Sequence, residues 1–412
     1  VNMIPNLPGP DFEGMVRGEI GNYGSVRGQA MLNVPVTDNF WLRAAGSFTK
    51  RDGFDYNSFN DVHINDRDLW STRVSAAWEP NDRFRANFIW EHFEEDDQRS
   101  RTGKQLCTRD PGPTQVGAVT VPNDLTQGRL SQGCLPGSLY DDAAYGTPNG
   151  LALGQLYAAG SVSYGFNASG MQVNAVNDQV DPYEGVVQDR DLRTVSTIID
   201  PRYRAENDVY QLNFEVDLTP SLTFFSQTTY AKDDFRSSQD YARYPSNPIF
   251  NDSQNTFDVF GNPLSSDAAP GGIYTDPQLG PSSRMLSMDL SVSDNRQFYQ
   301  EFRLQSDFGG AFEFSLGANY LDFKTQDDYY VFNNLFSYVA EYFYNRDTAS
   351  PEVVAQICDD SLTNKECIYV DDTSLDNFAG DGHNYFRSKN VVNTESWAVF
   401  GEGYFDLRPD LR

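Results

Sequence analysis

Strict alternation of apolar and polar side chains constrains this chain more than any other feature of its sequence. The clearest run is Val209–Leu218, in which every second residue from Gln211 to Asp217 is polar or acidic. The other alternate set is apolar and consists of Tyr210, Leu212, Phe214, Val216 and Leu218. Because successive side chains of a β-strand point to opposite faces, this segment predicts a strand with one apolar and one strongly polar surface.

Segments of this kind recur in pairs along the chain. Short stretches rich in Pro, Asn, Asp and Gly join the two members of a pair, as in Thr219-Pro220-Ser221 and Glu79-Pro80-Asn81-Asp82. Long polar segments separate the pairs, and the longest runs from Phe93 to Val209. The sequence therefore predicts about ten antiparallel strands of about ten residues each, the first over Phe12–Tyr23. Short turns should lie at one end of the sheet and long loops at the other.

The sorting of connections by length favours a transmembrane β-barrel. Outer-membrane barrels have short periplasmic turns, long extracellular loops and strands that alternate lipid-facing with lumen-facing residues. Trp70 and Trp78 fall near opposite ends of one predicted strand, as two interfacial aromatic girdles require. A large β-sandwich fits less well because its loops are not sorted in this way, and a β-propeller fits less well because its blades repeat at a similar length whereas these loops vary several-fold. The polar faces carry charges that suit a water-filled or plugged lumen, namely Arg43, Arg73, Glu215, Glu301 and Arg303.

Composition narrows the possible functions. Mean hydropathy is −0.56 and no apolar run approaches the roughly 18–20 residues of a membrane-spanning helix, which excludes a helical membrane protein. The chain has 59 acidic and 31 basic residues, a formal net charge of −28, which argues against nucleic acid as a partner. No Gly-rich phosphate loop before a helix, GxSxG motif or HExxH motif occurs. We therefore predict that the protein is not an enzyme and has neither a cofactor nor a defined metal site.

Acidic runs stand in the predicted loops and allow two interpretations. They are Glu94-Glu95-Asp96-Asp97, Asp327-Asp328, Asp359-Asp360 and Asp371-Asp372. Clustered carboxylates suit Ca²⁺, but they are also typical of solvated loops beside lipopolysaccharide, whose phosphates are bridged by divalent cations. No EF-hand spacing accompanies them, so the second interpretation is favoured.

The four cysteines fall into two pairs, each inside a long polar segment. The pairs are Cys107 with Cys134 and Cys358 with Cys367. Their spacing and the scattered histidines do not suit a zinc site. In an oxidising compartment the two pairs would form disulfides that close loops, and the alternative is four free surface thiols.

Six short motifs, in sequential order, resemble parts of a TonB-dependent outer-membrane receptor. The opening Val1–Ile4 resembles the last strand of that family's plug domain, and a Pro-rich link follows it. The motifs that resemble barrel strands are Gly21–Gly28, Leu42–Phe48 with Arg51–Phe54, Asn65–Arg73, Gln300–Ser306 and Trp397–Glu402.

The resemblance implies a barrel of about 22 strands whose lumen is closed by a plug domain. Residues 1–9 would be the C-terminal end of the plug and its linker, and residues 10–412 the N-terminal part of the barrel. The implied function is active uptake of a siderophore, a cobalamin or an oligosaccharide across the outer membrane of a Gram-negative bacterium. The implied partners are a TonB–ExbB–ExbD complex, outer-membrane lipid and lipopolysaccharide. Most of the plug, the TonB box and roughly the second half of the barrel are absent from this sequence, so we expect a fragment.

One predicted loop, Tyr329–Tyr344, is crowded with aromatic residues outside the expected membrane band. Such rings can stack on a sugar or on an aromatic, siderophore-like ligand. The alternative is a small hydrophobic cluster that packs the loop together. The candidate ligand-binding residues are Phe332, Phe336, Tyr338, Tyr342 and Tyr344.

Two other functions remain open at this point. A passive outer-membrane porin would share the barrel but lack the plug. A secreted all-β adhesion or carbohydrate-binding protein would share the strands and the disulfides but not the membrane.

Overall fold

Ten long strands form one antiparallel sheet whose strand order follows the chain. The structure is a computed structural model, and it describes residues 5–153, 163–264, 266–344, 370–377, 380 and 384–405. The predicted all-β antiparallel fold of about ten strands is confirmed. The strands are β1 (Glu13–Ile20), β2 (Val26–Thr37), β3 (Phe40–Arg51), β4 (Arg67–Asn81), β5 (Phe84–Asp97), β6 (Arg202–Thr219), β7 (Leu222–Asp240), β8 (Ser287–Ser306), β9 (Phe312–Asn333) and β10 (Tyr385–Phe405).

Most of the strands are longer than the alternation predicts. On β7 the apolar alternation ends at Tyr230, but the ladder with β8 continues to Asp240. Beyond Tyr230 the outer positions of the strand are polar as well, with Lys232, Asp234 and Arg236. Apolar alternation thus marks one zone of each strand, whereas hydrogen-bonded pairing sets its full length.

The first strand is shorter than predicted. It ends at Ile20 rather than Tyr23. Tyr23 and Gly24 have φ values of 59° and 60°, a left-handed conformation that turns the chain and cannot continue a strand.

Connections are sorted by length between the two ends of the sheet. At one end, here called the turn pole, the strands are joined by residues 38–39, 82–83, 220–221 and 307–311. At the other end, the loop pole, the connections are 21–25, 52–66, 98–201, 241–286 and 334–384. The first connection at the loop pole is short, and the later ones are long as predicted.

The outer wall is the sheet face that carries Trp70, Trp78 and Leu212, whose exposed fractions are 41%, 47% and 45%. No second layer of described residues covers this apolar zone. Trp70 to Trp78 spans nine residues, within the roughly 9–11 of a membrane-crossing strand. An upper aromatic row borders the zone towards the loop pole, with Trp90, Tyr210, Tyr230, Phe298, Tyr320 and Trp397. Trp70 lies four residues farther towards the loop pole, because Val74 pairs with Trp90. A lower row borders it towards the turn pole, with Trp78, Phe84, Phe224, Phe312 and Phe405.

The long connections at the loop pole pack together into a cap with its own core. The cap comprises the described parts of 98–201, 241–286 and 334–384. Tyr338, fully buried, lies 5.5 Å from the ring of Tyr274 and 5.9 Å from that of Phe250. A second core lies where the cap covers the ends of β8–β10, and it contains Met288, Leu290, Tyr330, Phe332 and Tyr385.

Short elements and one covalent link organise the cap and the adjoining loops. The structure joins Cys107 and Cys134 in a disulfide, with their Cα atoms 5.2 Å apart, as the sequence predicts. Helices α1 (Asp124–Arg129) and α2 (Asn334–Tyr338) are short, and Val339–Tyr344 is a π-helical turn. None of the described helices has the length and apolarity needed to cross a membrane. The 3₁₀ turns are Asp142–Ala144, Gly150–Leu153 and Pro270–Gly272, and the short strands are Asp55–Asn57, Val62–Ile64, Thr108–Arg109, Gln115–Val116, Val119–Thr120, Cys134–Leu135, Ser163–Phe166, Gln172–Asn174, Thr194–Val195, Tyr274–Asp276 and Gly280–Ser282.

Candidate functional site

The inner wall, the sheet face opposite the outer wall, is polar and curves around two cavities. The first cavity is about 460 Å³ and is lined by Arg43, Arg73 and Glu91 from three successive strands. The second is about 260 Å³ and is lined by Glu215, Glu301 and Arg303, among others. The five charged residues that the alternation assigns to the lumen therefore all line a concave surface.

Ion pairs across strands hold these inner-wall charges. Arg73 Nε lies 2.6 Å from Glu91 Oε1, and Arg85 Nη1 lies 2.7 Å from Glu215 Oε1. All four side chains keep at least a third of their surface exposed, so each pair contributes little stability. They supply a surface with alternating charge that can bind polar groups.

The first described residues run along the inner wall towards β1. The buried Asn33 side chain accepts a hydrogen bond from Gly9 N at 3.1 Å and donates to Gly9 O and Asp11 O at 2.8 and 2.6 Å. Leu7 and Pro8 line the second cavity. This segment therefore enters the sheet from its concave side.

Where the inner wall meets the cap, charged residues form what we call the rim cluster, defined by Glu95, Asp97, Arg99, Arg101 and Asp289. Arg99 Nη2 lies 3.1 Å from Glu95 Oε2, and the Arg99 amide donates to Asp97 Oδ1 at 3.0 Å. Arg101 Nη2 lies 3.0 Å from Asp289 Oδ2. The three carboxylates are buried, with exposed fractions of 6%, 4% and 4%.

Burial and like charge raise the pKa of one carboxyl group in this cluster. Asp97 lies beyond the upper aromatic row, and burial together with the neighbouring Glu95 carboxylate raises the pKa of Asp97 to about 6. Arg67 opposes this rise, because its Nη1 lies 3.6 Å from Asp97 Oδ2.

Aromatic groups complete the rim cluster. The guanidinium carbon of Arg99 lies 3.5 Å from the ring centre of Tyr203. The Tyr329 hydroxyl donates to Asp289 Oδ2 at 3.2 Å. Cations, carboxylates and rings within one patch can bind a polar ligand through charge-assisted hydrogen bonds and stacking.

Sequence reasoning missed the rim cluster because it placed Glu94-Glu95-Asp96-Asp97 in a solvated loop. The structure places all four residues in β5, where Glu95 and Asp97 are buried on the inner wall and Glu94 and Asp96 lie on the outer wall. The loop assignment was wrong for this run and also for Asp327-Asp328, which lies in β9. Asp371-Asp372 is in a loop as predicted, and Asp359-Asp360 lies outside the described residues.

The structure gives the predicted ligand-binding aromatic residues different environments. Phe332 and Tyr338 are buried, with exposed fractions of 1% and 0%, and in this conformation they pack against other rings rather than face a ligand. Their burial favours the alternative that this segment packs the cap together. Phe336 is half-buried. The side chains of Tyr342 and Tyr344, and the predicted Cys358–Cys367 pair, lie outside the described residues.

Within the described part of the chain, one group of side chains has ligand atoms close enough for a metal ion. His92, Glu206 and Asp208 bring such atoms within 4.8 Å of one another. His92 Nδ1 already pairs with Asp208 Oδ1 at 3.1 Å, and Trp90 Nε1 donates to the same oxygen at 3.0 Å. All three residues lie on the outer wall, away from the rim cluster.

Comparison with known proteins gives structural likenesses only. No family model matches the chain, and no curated protein matches it significantly. The siderophore receptor PiuA from Acinetobacter baumannii is similar with a TM-score of 0.40 and 15% identity, over 80% of this chain and 32% of that one. The ferric-catecholate import receptor Fiu from Escherichia coli K12 gives 0.41 and 12%, over 81% and 40%. The ferric yersiniabactin uptake receptor FyuA from Yersinia pestis gives 0.35 and 9%, over 98% and 46%. The chain spans less than half the length of each.

Proposed function

We propose that this chain is part of a plugged outer-membrane β-barrel that actively takes up a scarce ligand. The observation that carries the proposal is the contrast between the two walls of one sheet. The outer wall is apolar and exposed between two aromatic rows, whereas the inner wall is polar, charged and concave. This is the arrangement that lipid outside and water or a plug inside require.

The edges of the sheet support closure into a barrel. Among the described residues, β1 and β10 each pair on one side only, and Trp397 on β10 is 78% exposed. Unpaired backbone groups are not tolerated in hydrocarbon, so both edges require partners there. We propose that residues 10–412 form one part of the barrel and that further strands of the same protein close it.

The inner-wall path of the N-terminal segment supports a plug. Gly9 and Asp11 are held by Asn33 on the concave side, so the chain reaches β1 along the inner wall. We propose that residues 1–9 are the end of the plug domain and its linker. A TonB–ExbB–ExbD complex would then act on the plug from the periplasmic side.

The rim cluster is the proposed ligand-contact surface of this chain. It lies on the inner wall, where the Arg99 and Arg101 side chains stay 29% and 25% exposed beside the rings of Tyr203 and Tyr329. Phe336, Tyr342 and Tyr344 are proposed as additional contacts, while Phe332 and Tyr338 would reach a ligand only after the cap opens. The ligand class is proposed to be a siderophore, a cobalamin or an oligosaccharide.

An uptake assay tests this function. Cells lacking the gene are complemented with the full-length protein, and radiolabelled ferric siderophores, cobalamin and oligosaccharides are offered in turn. The variant Arg99→Gln/Arg101→Gln is expected to lower uptake of the transported ligand at least about tenfold, because each lost charge-assisted hydrogen bond weakens binding by about 1.5–3 kcal/mol. Arg83→Gln, at an exposed turn-pole residue, is the control and should leave uptake unchanged.

The same assay separates the other two functions. Uptake that persists after deletion of TonB or addition of a protonophore would contradict active transport and indicate a passive porin. A protein that folds without detergent and shows no uptake would indicate a secreted adhesion or carbohydrate-binding protein.

A further inference from the structure

Three basic residues lie side by side on the outer wall. Lys232 on β7 pairs in register with Arg296 on β8, and Arg296 pairs with Lys324 on β9. Neighbouring strands are about 4.8 Å apart, so the three side chains leave the sheet as a compact row. We call these three residues the basic row.

The basic row sits in a defined place relative to the apolar zone. Lys232 and Arg296 come two residues beyond Tyr230 and Phe298 of the upper aromatic row, on the side of the loop pole. Two strand residues span about 7 Å. If the apolar zone contacts hydrocarbon, as the proposed function requires, the basic row lies at the depth of the outer-leaflet headgroups.

The basic row places like charges directly opposite one another on adjacent strands, which is destabilising. The arrangement is unusual in a chain with a net charge of −28. Each cation has an acidic neighbour on its own strand: Lys232 contacts Asp234, Arg296 Nε lies 3.3 Å from Asp294, and Lys324 Nζ lies 3.2 Å from Asp322. These contacts reduce the repulsion but keep the cations on the outer wall.

The basic row has donors to spare. A Lys ammonium has three N–H donors and an Arg guanidinium has five, more than the carboxylate on the same strand uses, and only Lys232 has a further carboxylate, Asp208 of β6, directly opposite on the next strand. The side chains of Lys232, Arg296 and Lys324 are 42%, 58% and 58% exposed. Unused donors on three adjacent cations match the several acceptor oxygens of a phosphate group.

We propose that the basic row binds a phosphate group of the outer-leaflet glycolipid, lipid A with its attached saccharide. The phosphate sits over Lys232, Arg296 and Lys324, and the acyl chains lie against the apolar zone below, beginning at Tyr230 and Phe298. This proposal rests on the proposed membrane placement and specifies which face of the barrel holds a bound lipid.

The test measures glycolipid binding to the full-length protein in detergent by native mass spectrometry. Bisphosphorylated lipid A is titrated against wild type, Arg296→Gln/Lys324→Gln and a charge-matched control, Lys50→Gln/Lys389→Gln. The control removes two exposed outer-wall cations that are not in the basic row. The first variant should lose about 30-fold in affinity, because each basic residue contributes about 1 kcal/mol, or about fivefold, and the control should remain close to wild type.

Two further arms fix the source of the phosphate. In the first, dephosphorylated lipid A is titrated against wild type, and its affinity should be as low as that of bisphosphorylated lipid A for the Arg296→Gln/Lys324→Gln variant. In the second, inorganic phosphate at millimolar concentration is added to the complex of wild type with bisphosphorylated lipid A and should not displace the lipid. Equal losses in both double variants, or no loss in either, would overturn the site. Displacement by inorganic phosphate would overturn the commitment to a lipid.

Failure of the site is distinguishable from failure of the proposed function. Each sample is first checked for a folded, heat-modifiable species that depends on detergent. If that species is present and lipid binding is unchanged, the basic row is not the site but the membrane placement stands. If the species is absent from wild type, the membrane placement itself is wrong.

Discussion

Replacing Leu212 by arginine tests the two-wall arrangement at one position. Leu212 lies on the outer wall, 45% exposed, between Phe88 of β5 and Thr228 of β7. Along β6 it is two residues from Tyr210 in the upper aromatic row, close to the middle of the apolar zone. An arginine near the bilayer midplane on the lipid side costs about 2–4 kcal/mol.

Neighbouring substitutions isolate the cause of that cost. Gln211 is the adjacent residue, faces the inner wall and donates to Asn213 Oδ1 at 3.1 Å. We expect Gln211→Arg to change the free energy of unfolding by less than about 1 kcal/mol, because a polar lumen accepts the charge. Leu212→Ala measures the loss of packing alone, which should be small at an exposed position.

The assay is denaturant titration of the full-length protein folded into phosphatidylcholine vesicles, with heat-modifiable mobility as the measure of the folded fraction. The three variants are compared with wild type in the same vesicles. The reasoning is refuted if Leu212→Arg and Gln211→Arg destabilise equally. It is also refuted if Leu212→Arg has no effect, since a charge is harmless on a water-exposed surface.

Three further predictions concern the cap. Replacing Cys107 and Cys134 by Ser should destabilise it by about 2–4 kcal/mol, and limited proteolysis should cut the 98–201 segment faster while the heat-modifiable mobility of the barrel stays unchanged. Tyr338→Ala should cost about 3–5 kcal/mol of cap stability because the ring is fully buried, and unchanged protease resistance would contradict this. Burial raises the pKa of Asp240 to about 6, above the ordinary value of 3.8, so its contribution to stability is full below about pH 4 and lost as pH rises to about 6. Hydrogen exchange at Ile198, whose amide donates to Asp240 Oδ2 at 2.9 Å, should therefore lose protection over that range after correction for intrinsic rates, and Asp240→Asn should remove the dependence.

The sheet could be predicted from the sequence because its determinants are local. Alternation from Tyr210 to Leu218 assigns each side chain to a wall, and Thr219-Pro220-Ser221 marks the turn that follows. Each such pair needs only a period of two and a tight turn, both readable from neighbouring residues. The strand end beyond Tyr230 was not predictable in this way, because the positions on the outer face become polar and the apolar period is lost.

The rim cluster could not be predicted because its contacts join residues that are far apart in the chain. Arg101 meets Asp289 of β8, and Arg99 meets Tyr203 of β6, which pairs with Asp97 across the β5–β6 ladder. The aromatic segment allowed two interpretations from the sequence, ligand binding and packing, and burial among Tyr274 and Phe250 gives Tyr338 a structural environment. Sequence composition does not distinguish a ring that binds a ligand from a ring that fills a core.

Spin-label accessibility along β6 tests the central claim most directly. Single cysteines at positions 209–218 of the full-length protein, in a background without the native cysteines, are labelled in lipid bilayers. Collision with oxygen, which concentrates in hydrocarbon, is then compared with collision with a water-soluble nickel chelate. We predict oxygen maxima at Tyr210, Leu212, Phe214 and Val216, and nickel maxima at the residues between them. A profile without this alternation, or low access to both reagents on the apolar side, would mean that the face is buried against protein rather than in contact with lipid.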